Sequence, residues 1–414
     1  MEVGGVAVDD GSREEALNRV IGLPLLVFYG VGVTIGAGIF ALMGEILRIA
    51  GDHAPLTFLI AGLIAGATGF SYSRLGAVYP VAAGEAVYVK VGLGAFWGRL
   101  VGLGVSATGI VSSAVIALSF AGYLGSLVAL PQWLLSLSVI AALTLIAFAG
   151  VRMSVGFAAV ITVLETGTLI VVCFAGAPLV FEADIAPKLL SLPASGAVWG
   201  LVLSASLIAF FAFVGFEDIV NMAEETRDPQ RNLPLAIILT LVITIAIYLL
   251  VSIIAIAAPD REALTSSQAP LADLFASITG RSGAPIAAMA TIAMVNGILV
   301  QIVMSSRVLY GMARENLMPG FLAHVHEKRR TPSTATLLVG AIIAILALAV
   351  PLVSLAKLTS IVILMVFTLV NLSLWRIGSR PEAPAGLKNW RLWGLAGAVL
   401  SAFLLVPELI AVVS

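Results

Sequence analysis

Charge is what this 414-residue chain has least of. Charged side chains make up 11% of it and hydrophobic ones 60%, whereas soluble domains carry roughly 25% charged residues. The mean hydropathy is +1.10, and the combination excludes a water-soluble fold. With 22 Lys and Arg against 23 Asp and Glu, the net charge is −1. No basic footprint is present for a nucleic-acid partner. A single cysteine, Cys173, leaves no internal disulfide to form. The three histidines, His53, His324 and His326, all fall between apolar runs, and no acid–histidine pair lies inside one. No metal, no cofactor and no enzymatic activity is therefore expected. Residues 1–20 are polar, with Asp9, Asp10, Glu14 and Glu15 and no cationic leader. They do not resemble a cleaved signal peptide.

What the chain has is long apolar runs. A bilayer core of about 30 Å needs about 20 apolar residues per helix. By that ruler about eleven spans are read, near 22–47, 55–73, 97–128, 133–150, 155–180, 198–220, 233–258, 284–308, 334–351, 355–375 and 392–413. The third is long enough to include an amphipathic entry. Basic residues set the orientation. With the N-terminus cytoplasmic, Arg74, Lys90, Arg152, Arg227, Arg231, Arg314, Lys328, Arg329, Arg330 and Arg376 all fall inside, and the outside receives only Arg48, Lys188, Arg261 and Arg281. An odd span count puts the C-terminus outside. The expected setting is the cytoplasmic membrane of a prokaryote. The segment 225–234, with two prolines and four charges, is expected to interrupt the helix between spans 6 and 7.

Two spans carry a break near their middle. The first break is Gly36-Ala37-Gly38; the second is Phe211-Ala212-Phe213-Val214-Gly215-Phe216-Glu217. They sit at matching places, one early in spans 1–5 and one early in spans 6–10. Two sets of five make an all-α membrane fold with a five-plus-five inverted repeat, because an odd-numbered set must run upside down relative to its partner. The division is 1–20 as a cytoplasmic tail, 21–180 and 198–375 as the repeats, and 376–414 as a linker with span 11. Irregular backbone at membrane depth survives only where it is buried in protein or lines a cavity. Paired interruptions therefore point to a carrier's substrate site.

The chemistry of the breaks suits a zwitterion. Small residues at 36–38 let the main chain unwind, and the half-helix that follows presents bare N–H groups to a carboxylate. The same residues also fit a plain packing face between helices. A break at Val214-Gly215 frees carbonyls for an ammonium group, with Phe211 beside it. Each charged end of an α-amino acid is costly to desolvate alone. A site with both partners meets that cost.

These stretches resemble a known family. Gly32-Val-Thr-Ile-Gly36-Ala-Gly-Ile-Phe40, Tyr79-Pro-Val-Ala-Ala-Gly-Glu85-Ala-Val-Tyr88, Phe211 to Glu217, Ala223 to Pro234, and Ser306 to Tyr310 with Ala313 to Pro319 are similar to signatures of the amino acid–polyamine–organocation permeases. Members move amino acids or polyamines by alternating access, as proton or sodium symporters or as exchangers. The resemblance implies that Thr34, Ile35, Gly36, Ala37 and Gly38 hold the substrate carboxylate. It implies that Phe211 gates the site, that carbonyls around Ala212, Phe213, Val214 and Gly215 take the amine, and that Gln301 lines the side-chain pocket. Glu217 matches an acid implicated in proton or pH response.

Glu165 stands where proton-coupled relatives with cationic substrates have a lysine, so the coupling ion, H+ or Na+, stays open. Glu165 is either a proton carrier or, ionised and joined by Ser305 and Ser306, part of a cation site; a protonated acid tied to a neighbouring helix is the structural alternative. Phe and small residues in the pocket favour a small neutral amino acid. A polyamine or amine exchanger and a non-transporting sensor are the alternatives.

Overall fold

A computed structural model of the chain describes residues 19–81, 84–150, 155–182, 185, 187, 189, 191–314, 318–326, 329 and 331–413. Arg152, Lys188, Lys328, Arg330, the acidic tail and residues 315–317 of the last motif lie outside the described residues.

Each span read from hydropathy coincides with helix. Span 1 is α1 (Leu23–Ile35) followed by α2 (Gly38–Ala50), and span 2 is α3 (Ala54–Val78). A ten-residue helix, α4 (Gly84–Leu93), precedes span 3, α5 (Ala95–Gly125). Gly94, at φ 108°, turns the chain between them. Spans 4 and 5 are α6 (Gln132–Ala149) and α7 (Val155–Glu182). Span 6 is α8 (Gly196–Phe210) continued by 3₁₀ turns at Phe211–Phe213 and Phe216–Glu225. Span 7 is α9 (Pro229–Ala257). Two short helices, α10 (Arg261–Ser266) and α11 (Pro270–Thr279), fill what hydropathy shows only as a polar loop. Spans 8 to 10 are α12 (Ala284–Arg314), α13 (Ser333–Ala349) and α14 (Leu352–Gly378). A one-turn helix, α15 (Ala385–Lys388), leads into span 11, α16 (Arg391–Val413).

Among the described residues nine helical segments are long and apolar enough to cross a bilayer, with Leu23–Ile35 and Ser333–Ala349 shorter apolar helices beside them. This is a multi-pass membrane protein.

The helical interruption between spans 6 and 7 is narrower than the prolines suggest. Span 7 starts at Pro229 rather than 233, because Pro at the first helical position gives up an N–H that has no helical partner anyway. Pro234 is carried inside the helix. Only Thr226–Asp228 remain outside it, with Asp228 at φ 45°.

Packing follows the repeat. Spans 2 and 7, 3 and 8, and 4 and 9 pack directly on each other. Most of the remaining neighbours exchange when five is added to or taken from each span number. Span 1 packs on 5 and 7 while 6 packs on 10 and 2; 5 packs on 7 and 8 while 10 packs on 2 and 3; 4 packs on 8 while 9 packs on 3. Such a contact set is the signature of two similar five-helix units, the inverted arrangement being forced by their odd count. Span 11 stands outside the exchange, against spans 10, 2 and 6.

Both broken spans are anchored at one end of the bundle. Ile21 and Thr226 form an isolated parallel bridge, with Ile21 N–H donating to Glu225 O at 3.0 Å and Arg227 N–H to Ile21 O at 2.8 Å. Glu225 and Arg227 are thus tied by main-chain pairing to the start of span 1.

Candidate functional site

The two breaks are real and they touch. Gly36 takes φ 28° and ψ −144°, so α1 ends and α2 restarts at Gly38. In span 6, Val214 is extended (φ −65°, ψ 129°) and Gly215 has φ 125°. A Cβ on Gly38 would lie 2.5 Å from Ala212 Cα, and one on Gly215 would lie 2.7 Å from Val33 O. Glycine is required at both for close approach, and at Gly215 for its dihedral as well. The packing and unwinding readings of 36–38 are therefore both realised.

A cavity of about 60 Å³ opens between the breaks. Thr34, Gly36, Ala37 and Gly38 line it from span 1, Phe211 and Val214 from span 6, Glu165 from span 5 and Gln301 from span 8. Ile35, Ala212, Phe213 and Gly215 do not. Ile35, Ala212 and Phe213 are buried in the core, and Phe210, Phe213 and Phe216 fill it rather than face lipid. Phe211 alone of these rings reaches the cavity.

Helix geometry leaves the N–H groups of the first turn of α2 without helical acceptors; the first bond back into this turn is Ala41 N–H to Ala37 O, 2.9 Å. The positive end of the α2 dipole therefore faces the cavity, worth up to ~2 kcal/mol to a partly buried anion. At the second break the carbonyls are unequally free. That of Phe211 accepts from Val214 N–H (3.2 Å) and that of Gly215 from Asp218 N–H (3.0 Å). Ala212 O is held by the Tyr248 hydroxyl at 2.8 Å.

Tyr248 escapes sequence reasoning altogether. Its hydroxyl, on span 7, also lies 3.2 Å from Thr34 O and 3.2 Å from Ile35 O. One O–H is shared by carbonyls from both breaks, and the ring is seated against Phe213 and Phe58 at centroid distances of 5.1 and 5.6 Å. A tyrosine in an apolar run reads as core filler. What gives it a role is the tertiary meeting of three helices.

Beyond Val214 and Gln301 lies a second, smaller cavity of about 20 Å³, lined also by Ser106, Glu217, Asp218 and Ser305. Gln301 and Val214 form the partition, since both line each cavity. Glu217 caps its own break: Oε2 accepts from Gly215 N–H at 2.8 Å. The neighbouring Asp218, buried at 5% exposure, was not singled out from sequence; its Oδ1 accepts from Asn221 at 3.4 Å.

The cation site combining Glu165 with Ser305 and Ser306 is not assembled. Glu165 lines the first cavity and Ser305 the second. Ser305 is clasped to span 3, donating to Ser106 O at 3.2 Å while Ser106 donates to Ser305 O at 3.3 Å. Ser306 donates to Val303 O at 2.9 Å in its own helix. Ser306 is satisfied by its own helix and Ser305 by a neighbouring one, which the sequence alone does not reveal. Among the described residues no group of three or more His, Cys, Asp or Glu is placed to hold a metal ion.

A sequence profile described as amino acid permease matches residues 21–413. The chain belongs to the amino acid permease family. An uncharacterized transporter of Mycobacterium tuberculosis is 33% identical to this permease over 403 residues, which is 96% of this chain and 89% of the relative. Cationic amino acid transporter 2, vacuolar, of Arabidopsis thaliana is 30% identical over 391 residues, 87% of this chain and 60% of that one. The branched-chain amino acid permease BcaP of Bacillus subtilis is 27% identical over 400 residues, 91% and 85%. The substrate class of this permease is amino acids and its setting is a lipid bilayer.

Proposed function

We propose that this permease carries a small neutral amino acid across the cell membrane as a zwitterion gripped at both ends by main chain, in a proton-coupled or exchange mode. The observation that carries the reading is the cavity shared by the two breaks. Its carboxylate seat is the N–H groups of Ala37, Gly38 and Ile39. Its ammonium seat is the carbonyl of Val214, the cavity-lining residue of the second break whose carbonyl no neighbouring main-chain hydrogen bond takes. Residues 21–180 and 198–375 act as the repeats that rock against each other, with the breaks as hinges and Phe211 as the gate on the substrate. The termini follow the basic residues, N-terminus cytoplasmic and C-terminus outside.

Glu165 is the proton carrier in this reading. It is 3% exposed and faces the cavity, and a carboxyl so placed exchanges a proton with the substrate's own compartment. The same position supports a second reading. An ionised Glu165 beside the substrate suits a cationic amino acid, the class printed in the names of the Arabidopsis relatives.

Counterflow of labelled alanine, leucine and lysine into proteoliposomes, with and without an imposed proton gradient, separates these readings. Alanine exchange that a gradient accelerates, and whose pH dependence Glu165→Gln removes, is the expected result. Lysine exchange without alanine exchange would favour the cationic reading. Unchanged pH dependence in Glu165→Gln would take Glu165 off the proton path.

A further inference from the structure

Two polar atoms in the wall of the first cavity have no hydrogen-bond partner: Ser112 Oγ on α5 and Asn296 Oδ1 on α12. The contrast with their neighbours is sharp. Ser113 and Ser119 on the same helix donate to Gly109 O and Val115 O at 2.8 and 2.9 Å, and Ser106 is clasped to Ser305. A buried serine on α5 ordinarily finds a carbonyl. Ser112, at 3% exposure, does not. Buried polar groups are nearly always paired, and an exception at a cavity wall is the mark of a missing partner.

The surroundings define that partner. Ile116, Gly297 and Val300 complete this part of the wall. Gly297 keeps it open beside Asn296, where a Cβ would meet Ile116 Cδ1 at 3.4 Å. A ligand group here must accept from or donate to a hydroxyl, donate to an amide oxygen, and tolerate an apolar flank. A substrate hydroxyl meets all three conditions. The cavity's 60 Å³ holds about five water-sized groups. Bonded atoms pack closer than waters, so a molecule of about seven heavy atoms fits where a long cationic side chain does not.

We infer that Ser112 and Asn296 form a side-chain subsite for a hydroxyl group, which makes serine and threonine, rather than apolar amino acids of equal size, the preferred substrates. The inference rests on the proposed transport of small amino acids and narrows its substrate. A site built to bond a substrate hydroxyl discriminates against the analogue without one because its own polar groups are then left bare.

The test is competition against labelled serine counterflow in proteoliposomes by serine, threonine, alanine, valine, leucine and lysine. In the unaltered protein serine and threonine are expected to compete at concentrations about tenfold or more below alanine and valine, each satisfied group being worth about that factor. In Ser112→Ala and, separately, Asn296→Leu the serine-to-alanine ratio is expected to fall to within about threefold, and Ser112→Thr, which keeps the hydroxyl, restores it. The ratio is internal to each sample, so lower expression of a variant does not move it. Valine, leucine or lysine outcompeting serine, or an unchanged ratio in both variants, overturns the subsite and leaves amino acid transport standing. Exchange of none of these amino acids would sink the transport reading, and the subsite with it.

Discussion

The two breaks do the same job with different materials. The first is made by small residues: Gly36 and Ala37 separate α1 from a regular α-helix that resumes at Gly38, and these residues line the cavity. The second is held open by side chains. Its restart is a ten-residue 3₁₀ turn, Phe216–Glu225, the N–H of Gly215 just before it is capped by Glu217, and Tyr248 fixes Ala212 O from outside. A 3₁₀ stretch of that length is uncommon because its hydrogen bonds are poorer than those of an α-helix. The first break is therefore a rigid donor end and the second a supported acceptor end. Tyr248 touches carbonyls at both, but only the second also depends on a side-chain cap, that of Glu217.

The largest effect should come from closing the contact between the breaks. Gly38→Ala drives a Cβ into Ala212 Cα at 2.5 Å, and Gly215→Ala adds both a clash and a forbidden dihedral. Each is expected to abolish counterflow, with a lowered melting temperature in detergent. Gly36→Ala has its nearest obstacle at 3.3 Å and bears mainly the strain of φ 28°, about 1–3 kcal/mol. It should retain measurable transport. Equal loss in all three would show that the breaks are not held by this contact.

Tyr248→Phe keeps the ring and removes the shared hydroxyl. Carbonyls of both breaks then lose a buried partner, at about 1–3 kcal/mol, so substrate binding measured by competition should weaken about tenfold with the fold intact. A smaller effect is expected from Glu217→Gln, since an amide oxygen still accepts from Gly215 N–H. Glu217→Ala, which leaves that N–H bare, should cost more stability than Gln. If Gln and Ala are equally damaging, the charge or proton of Glu217 outweighs its cap.

The smallest effect lies away from both breaks. Glu85, on the short helix α4, is buried with Oε1 unpaired, and burial, reinforced by the negative Asp218, pushes its carboxyl up to about 8. The folded state then holds a proton that the unfolded state releases near pH 4.5. Stability from this group is full below pH 4.5 and falls as pH rises to about 8. Glu85→Gln should flatten the melting temperature across that window and raise it at pH 8.

The spans were legible because each is a run of about 20 apolar residues, and the first break because Gly36-Ala37-Gly38 interrupts one of them. The acceptor break was legible from Gly215 and Glu217. The helix α4 and the pair α10 and α11 were not, being too short for a hydropathy window. Tyr248, Ser112 and Asn296 were invisible for a different reason: a single polar atom in an apolar helix gains a role only from what two or three other helices place beside it. The hydrogen bonds that Ser305 and Ser306 make were hidden on the same ground, since sequence does not say which serine is already satisfied.

The central claim is that the main chain at the two interruptions holds opposite ends of a zwitterion. Competition against labelled substrate by the amino acid, by its methyl ester and by the corresponding acid lacking the amino group tests it most directly. The account predicts that each altered compound competes at least about a hundredfold more weakly than the intact amino acid, because each leaves one seat unpaired. An ester or a deaminated acid that competes as well as the parent would contradict it.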